Sequence, residues 1–332
     1  MCMWTSISLF LGAFVIALFL TPIIGIIANR FNVVDIPRGR HLHDRVVPKL
    51  GGVAIFISFA TVVLLTQPHS LVLWNILGAS LIYLLIGVAD DAYHITPWSK
   101  LLGQFAGAVL LVSGGIEIAQ VGNPFTGALV SLGVISSLVT VLWIVGISNT
   151  VNISDGVDGL VSGVTVISSL ILAILSYKTG HHEAAELALI FCGAVSAFWI
   201  YNFHPAKIFL GDSGSLFIGF FLATMGFVGG AKLATALLIL GVPILDGGFT
   251  VLYRLIHGRP VYEGDRNHLH FRLLGYGLTQ VQVAGIFYAI SLTMGLVALF
   301  ISGMQKVWAL GLLFLIFVIG WSALWQLSKR KK

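Results

Sequence analysis

Charge is what this sequence has least of. Only 9% of its 332 residues are Asp, Glu, Lys or Arg, against 58% apolar ones, and the mean hydropathy is +0.99. An ordinary soluble domain is about a quarter charged, so this balance excludes that class and places the chain among integral membrane proteins. Cysteine is nearly missing as well. Cys2 and Cys192 are too few for a disulfide framework, and Cys192 lies inside an apolar run, so both read as packing residues. No low-complexity tract, solenoid period or inverted repeat is present. The pI of about 9.3 does not point to nucleic acid, because the basic residues sit in short links between apolar runs, where they report membrane orientation. The first apolar stretch has no basic leading segment and continues to about Ile27. That is too long for a signal-peptide core, so it reads as a retained transmembrane helix.

What the sequence does have is long apolar runs. A bilayer core of about 30 Å needs around 20 apolar residues per helix. That length fits spans near 5–28, 50–67, 70–89, 99–116, 128–148, 160–177, 184–202, 214–229, 232–252, 282–302 and 307–327. The expected fold is an all-α, polytopic membrane helix bundle of about 11 transmembrane helices. It forms a single domain over residues 1–332, with a long loop at about 254–281. Alternate connections divide the 18 Lys and Arg residues fifteen to three. The rich set runs from Arg30 to Lys49, then takes in Lys100, Lys207, Arg254 to Arg272 and the tail from Lys329, whereas the poor set is Lys178, Lys232 and Lys306. The positive-inside rule therefore expects the N-terminus outside and the C-terminus cytoplasmic.

On that topology nearly all the chemistry-bearing side chains fall on the cytoplasmic face. An ionisable group near hydrocarbon is costly, by about 3 kcal/mol on insertion scales, and by default marks function. Asn149 to Gly159, NTVNISDGVDG, packs two amides and two carboxylates between apolar segments. Asn152, Asp155 and Asp158 recur every third residue, which on a helix would spread them over about 120° of one face. Gly156 and Gly159 argue for a turn there, in which an aspartate would serve as an N-cap. Asp90 and Asp91 end the third span; adjacent carboxylates are unfavourable at a helix C-terminus, so a cation should offset them. In Phe209 to Ser215, FLGDSGS, small residues at a helix start leave backbone N–H groups for an anion, and Asp212 suits a divalent cation. Asp212 as a plain helix cap is the alternative. PILD at 243–246 is a weaker signal. In the long loop, His268 and His270 would point the same way on an extended strand, and with Arg259, Arg266 and Arg272 they form a candidate phosphate cradle. A zinc site lacks its tetrahedral set there.

These segments carry a family resemblance. Asp90-Asp91, NTVNISDGVDGL at 149–160, FLGDSGSLFIG at 209–219, PILD at 243–246 and DRNHLHFRLL at 265–274 follow one another over nearly the whole chain. Together they resemble the bacterial polyprenyl-phosphate N-acetylhexosamine-1-phosphate transferases. HLHDRVVPKLGGVAI at 41–55 is similar to the branch that uses UDP-N-acetylglucosamine, the undecaprenyl-phosphate N-acetylglucosaminyl-1-phosphate transferases, rather than the muramoyl-pentapeptide branch. One departure is Phe271, where relatives commonly have a further histidine.

The resemblance implies an enzyme of the bacterial cytoplasmic (inner) membrane that transfers N-acetylglucosamine 1-phosphate from UDP-N-acetylglucosamine to undecaprenyl phosphate. UMP is released and a lipid-linked cell-envelope glycan is begun. The implied cofactor is Mg2+, for which Mn2+ could substitute. The implied catalytic residues are Asp90, Asp91, Asp155 and Asp158. Asn149, Asn152, His268, His270, Arg266, Lys49 and Lys207 are implied in substrate binding, and Asp212 with Asn152 in holding the metal. The partners are the nucleotide sugar, the lipid phosphate and membrane lipid, with no nucleic acid; a homodimer stays open, as does direct attack against a covalent aspartyl intermediate. Rival expectations are the muramoyl-pentapeptide transferase of the same family, a multi-pass secondary transporter with acids near mid-membrane, and a prenyl transferase, for which paired aspartate-rich repeats are lacking.

Overall fold

The structure is a computed structural model that describes residues 3–37, 45–123, 126, 128–230, 233–256, 258 and 268–330, with side chains at all of these except 242 and 323–330. Thirteen helices dominate them. In order they are α1 (Met3–Arg30), α2 (Gly51–Thr66), α3 (Leu71–Tyr93), α4 (Pro97–Ser113), α5 (Ser136–Ser154), α6 (Leu160–Lys178), α7 (His182–Asn202), α8 (Gly211–Val228), α9 (Leu233–Ile239), α10 (Gly241–Ile256), α11 (Leu269–Gly275), α12 (Gln280–Phe300) and α13 (Met304–Arg330). Two small antiparallel strand pairs interrupt them, β1 (Val34–Asp35) with β2 (Val47–Pro48) and β3 (Gln120–Gly122) with β4 (Leu129–Ser131).

Local chemistry sets many of the helix starts. Ser70 and Thr96 accept hydrogen bonds from the N–H groups of Leu73 and Ser99, each at 3.2 Å, and Pro97 opens α4, where its missing N–H costs nothing. Thr279 and Gln282 form a reciprocal capping box before α12.

Every expected span falls on a helix. Among the described residues eight helices are long and apolar enough to cross a membrane, and the α9–α10 pair makes a ninth if counted as one bent span. α2 is apolar but only 16 residues long, and α4 has 17. Two expected spans differ in detail. The fifth was placed at 128–148, but residues 129–131 are a strand and α5 runs from 136 to 154, so the polar residues Asn149 and Asn152 belong to its last turns. The ninth bends by 87° between Leu233–Ile239 and Pro243–Ile256. Pro243 disfavours helix in the residue before it yet is tolerated in a first turn, so the chain stops and restarts around Gly241.

α8 is the centre of the bundle, packed mainly against α2, α3 and α5 and also touching α6, α7 and α9. Its aromatic side chains lock into those of its neighbours: the Phe191 and Phe221 rings stack 3.9 Å apart, and Phe59 meets Phe221 edge-on at 5.0 Å. At the periphery α1 and α13 expose most of their apolar surface, as helices facing hydrocarbon do. Three neighbours approach the α8 backbone through glycine. A Cβ on Gly52 would overlap Gly214, one on Gly87 would overlap the backbone of Asp212 and Ser213, and one on Gly219 would come within 2.6 Å of the Ser148 Cα.

Gly87→Ala therefore forces a methyl into α8 and should cost about 1–3 kcal/mol, read as a lower melting temperature in detergent. Gly146→Ala, with no atom within 4 Å of the added carbon, should melt at or slightly above wild type. Equal behaviour of the two variants would contradict the close crossing.

Candidate active site

The last turn of α3, the last turn of α5 and the first turn of α8 meet at one end of the bundle, and their acids meet with them. Lys100, on α4, supplies the positive charge. Its ammonium donates to Asp90 at 3.2 Å, to the Asn152 side-chain oxygen at 3.1 Å, and to Asp212 in a very short contact. The Asn152 amide in turn donates to Asp212 at 2.8 Å and to Ser215 at 2.8 Å. Three oxygen-bearing side chains from three helices thus converge on one cationic centre. Sequence reasoning counted Lys100 only as a topological charge, although a lone lysine one turn into the helix after an acid pair was the available signal.

Asp91 has a different partner. Its two carboxylate oxygens accept the backbone N–H groups of Asp212 and Ser213, each at 3.0 Å, and the side chain is only 8% exposed. The donors expected to stay free at the start of α8 are therefore filled by a protein carboxylate. A helix N-terminus has unsatisfied donors and a partial positive charge, and both are met here from within the chain. The offset expected for the Asp90–Asp91 pair comes from protein on both sides, Lys100 for one acid and the α8 N-terminus for the other.

Beside this cluster lies a cavity of about 280 Å3, lined by Asp91, Asn152, Asp155, Asp158 and Asp212 together with Lys49, Asn202, Phe209 and Phe271. Gly51 and Gly52 donate backbone hydrogen bonds to the carbonyls of Phe209 and Leu210, and Phe209 donates to that of Pro48, which stitches the Lys49 segment to the Phe209 segment. Lys49 also pairs with Asp35 at 3.7 Å. Asp155 follows the last turn of α5, neither inside a helix nor at an N-cap; the residue preceding α6 is Gly159, at φ 74°. Burial, and then the carboxylates of Asp212, Asp91 and Asp158, push the Asp155 carboxyl up to about 8 against a smaller opposing pull from Lys49. Asp158 is held by His204 Nδ1 at 2.8 Å and by the N–H of Ala206 at 3.1 Å. His204 was not singled out from the sequence.

Other expected binding residues are placed elsewhere. Asn149, one turn earlier on α5, exchanges hydrogen bonds with Gln104 and does not line the cavity. Lys207 lines a neighbouring cavity. His268 and His270 do share a side, with rings stacked at 5.3 Å, but through a turn leading into α11 rather than an extended strand. Both turn their Nδ1 atoms to Asp246, at 3.4 and 3.2 Å, and Asp246 also accepts the N–H of Leu269 at 2.7 Å. The aspartate of PILD is therefore the clasp of this segment. His270 Nε2 is buried with no hydrogen-bond partner among the described residues and abuts Gly156 at the cavity edge. Phe271 forms the adjacent wall, and the Arg272 guanidinium lies 4.1 Å from the centre of the Trp321 ring. Arg266 and Arg259 lie outside the described residues. Among the described residues no three His, Cys, Asp or Glu side chains group as a metal-binding set.

Two outcomes follow from these contacts. Asp91→Asn discharges the acceptor and sets an amide against an N–H, so it should lose about 1.5–3 kcal/mol in thermal unfolding, whereas Asp90→Asn should melt close to wild type. Matching losses would refute the clamp on α8. For Asp155, the raised pKa means that the folded chain holds the proton more tightly than the unfolded one, whose carboxyl titrates near 3.8. The stability linked to that proton is full below about 4 and is lost as pH rises through about 8. Asp155→Asn, permanently neutral, should show a shallower decline in melting temperature than wild type between about pH 4 and pH 8; parallel curves across that window would rule this out.

Comparison with known proteins identifies the family. Residues 73–230 match the family model described as glycosyl transferase family 4. Over 317 residues the chain is 33% identical to a probable undecaprenyl-phosphate N-acetylglucosaminyl 1-phosphate transferase of Bacillus subtilis (strain 168), covering 93% of this chain and 88% of that protein. It is 30% identical over 324 residues to a decaprenyl-phosphate N-acetylglucosaminephosphotransferase of Mycobacterium leprae (strain TN), covering 87% and 81%. It is 29% identical over 315 residues to a phospho-N-acetylmuramoyl-pentapeptide-transferase of Staphylococcus carnosus (strain TM300), covering 87% and 97%. With its membrane helices, its acid cluster and these relatives, the chain belongs to glycosyl transferase family 4 and is a polyprenyl-phosphate sugar-1-phosphate transferase.

Proposed function

We propose that this enzyme transfers N-acetylglucosamine 1-phosphate from UDP-N-acetylglucosamine to undecaprenyl phosphate, releasing UMP and starting a lipid-linked envelope glycan, with its cavity on the cytoplasmic face of the bacterial inner membrane. The observation that carries this reading is the meeting of Asp90, Asn152, Asp212 and Lys100 beside a polar cavity at one end of a bundle whose flanks face hydrocarbon. The orientation is supported by the fifteen-to-three division of Lys and Arg. The choice of sugar is supported by the relatives named for N-acetylglucosamine.

The reaction must bring two anions together, since a phosphomonoester with a second pKa near 6 is largely dianionic at neutral pH. Neutralising their repulsion is a larger task than removing a proton. The donor set suits Mg2+, because all the atoms converging on the Lys100 ammonium are oxygens, and Mg2+ needs only one or two carboxylates beside water and phosphate. Asp212 and Asn152 would hold the ion, which when bound supplies Lewis-acid neutralisation of phosphate charge. Lys100 keeps Asp90 and Asp212 together, and the N–H it gives to Asn152 can be redirected to a phosphate oxygen. Asp90, whose Oδ2 accepts from Lys100 in the cluster beside the cavity, would accept the last proton of the lipid phosphate. Lys49 offers positive charge from the opposite wall, and Phe209 and Phe271 offer flat apolar faces for a base or sugar ring. Asp91 acts as a positioning residue, because it fixes the α8 turn that carries Asp212.

The test is turnover by the purified protein with lipid phosphate, Mg2+ and each of labelled UDP-N-acetylglucosamine, UDP-N-acetylgalactosamine and UDP-N-acetylmuramoyl-pentapeptide. UMP release with the first substrate is expected. Preference for the third would move the chain to the muramoyl branch. Asp212→Asn should lower turnover by at least about a hundredfold while leaving membrane insertion intact; near-normal activity at low magnesium would overturn the metal assignment.

A further inference from the structure

A second cavity is larger than the one beside the acids. It encloses about 700 Å3 between the last turns of α1, the Arg45–Pro48 segment and the α7–α8 connection, a volume within the range of built ligand sites. Three of its lining residues are basic: Arg45, His204 and Lys207. Among the described lining residues Asp158 is the one carboxylate, bound by His204 Nδ1 and the Ala206 N–H, and the cations Arg45 and Lys207 outnumber it. The opposite wall is apolar. Pro22 and Ile26 come from α1, a helix that shows most of its surface to hydrocarbon, and Ile26 is 69% exposed. Positive charge at the end of a membrane-spanning helix, with an apolar side open to lipid, is the chemistry that recognises a phosphate head group on a lipid.

We propose that this cavity binds the phosphodiester head group of an anionic membrane phospholipid, with Arg45 and Lys207 meeting the phosphate and the acyl chains lying along α1. The acceptor of the proposed reaction is the less fitting occupant. Asp90, Asn152 and Asp212 do not line this space, so a phosphate held here is away from the reacting cluster. The two cavities nevertheless share Asp158 and Phe209 as a common wall, so an occupant of one touches residues that shape the other.

The test is retention of lipid by the purified full-length chain in detergent, read by native mass spectrometry, with phosphatidylglycerol, phosphatidylcholine and undecaprenyl phosphate offered at equal concentration. One phosphatidylglycerol should be retained in preference to phosphatidylcholine. Arg45→Gln combined with Lys207→Gln should weaken that retention about tenfold or more, and Arg45→Lys with Lys207→Arg should restore it. Millimolar inorganic phosphate that leaves the lipid in place identifies the bilayer as the source of the anion, and phosphate that displaces it identifies a site also filled from solution; both outcomes uphold a phosphate site. Equal retention of the two phospholipids by wild type, a result that needs no variant, overturns the proposal. So does preference for undecaprenyl phosphate, or unchanged binding by the double glutamine variant. Because the readout is binding, its failure leaves the transferase assay unaffected.

Discussion

The arrangement depends on how carboxylates find partners at the edge of a hydrocarbon-facing bundle. Two kinds of partner serve here. A lysine on α4 draws Asp90, Asn152 and Asp212 to one point, and the peptide dipoles at the head of α8 receive Asp91. Neither partner suffices alone, because adjacent acids at the end of α3 repel each other and each oppose the local helix dipole. Dividing the pair between an ammonium and a helix start turns that repulsion into a device for aiming them. One acid joins the lysine cluster beside the cavity, and the other, at the cavity wall, secures the helix start that carries the next acid.

The same economy holds in the segment around 268–270. A fully buried aspartate on α10 collects two imidazoles and a backbone N–H, so the bent part of the chain is tied to the turn between α5 and α6 through side chains rather than through a continuous helix. One imidazole nitrogen is left over, pressed against Gly156. A residue larger than glycine at that position would collide with it and with Phe271. The turn that presents Asp155 is therefore fitted to the histidine segment over a backbone approach that only a missing side chain permits.

The helical class and the location of nearly every span were legible in the sequence, because twenty-residue apolar runs have few alternatives. Also legible was that the motifs converge: Asp90, Asp91, Asn152, Asp155 and Asp212 lie together at one end of the bundle. Partner choice was not legible. Whether Asp91 faces a ligand or a helix start depends on an approach between residues 121 positions apart, and no local pattern encodes it. Lys100 and His204 were missed for the same reason, since each is an unremarked single residue until the fold sets it beside an aspartate. Asn149 illustrates the opposite error: it shares a motif with Asn152 but, one turn away, meets Gln104 instead of the cavity. The early start assigned to the fifth span came from reading the apolar β4 strand as helix, an ambiguity intrinsic to short apolar runs.

The glycine seams along α8 carry a mechanical consequence. With Gly52, Gly87 and Gly219 each bringing a neighbouring helix into backbone contact, sliding or rolling α8 would drive main-chain atoms into one another. The central rod is keyed in place like a shaft in a slot, and the turn bearing Asp212 inherits that stiffness. Adjustment to an incoming ligand then falls to swinging side chains, Lys100 foremost among them, rather than to any rocking of the bundle.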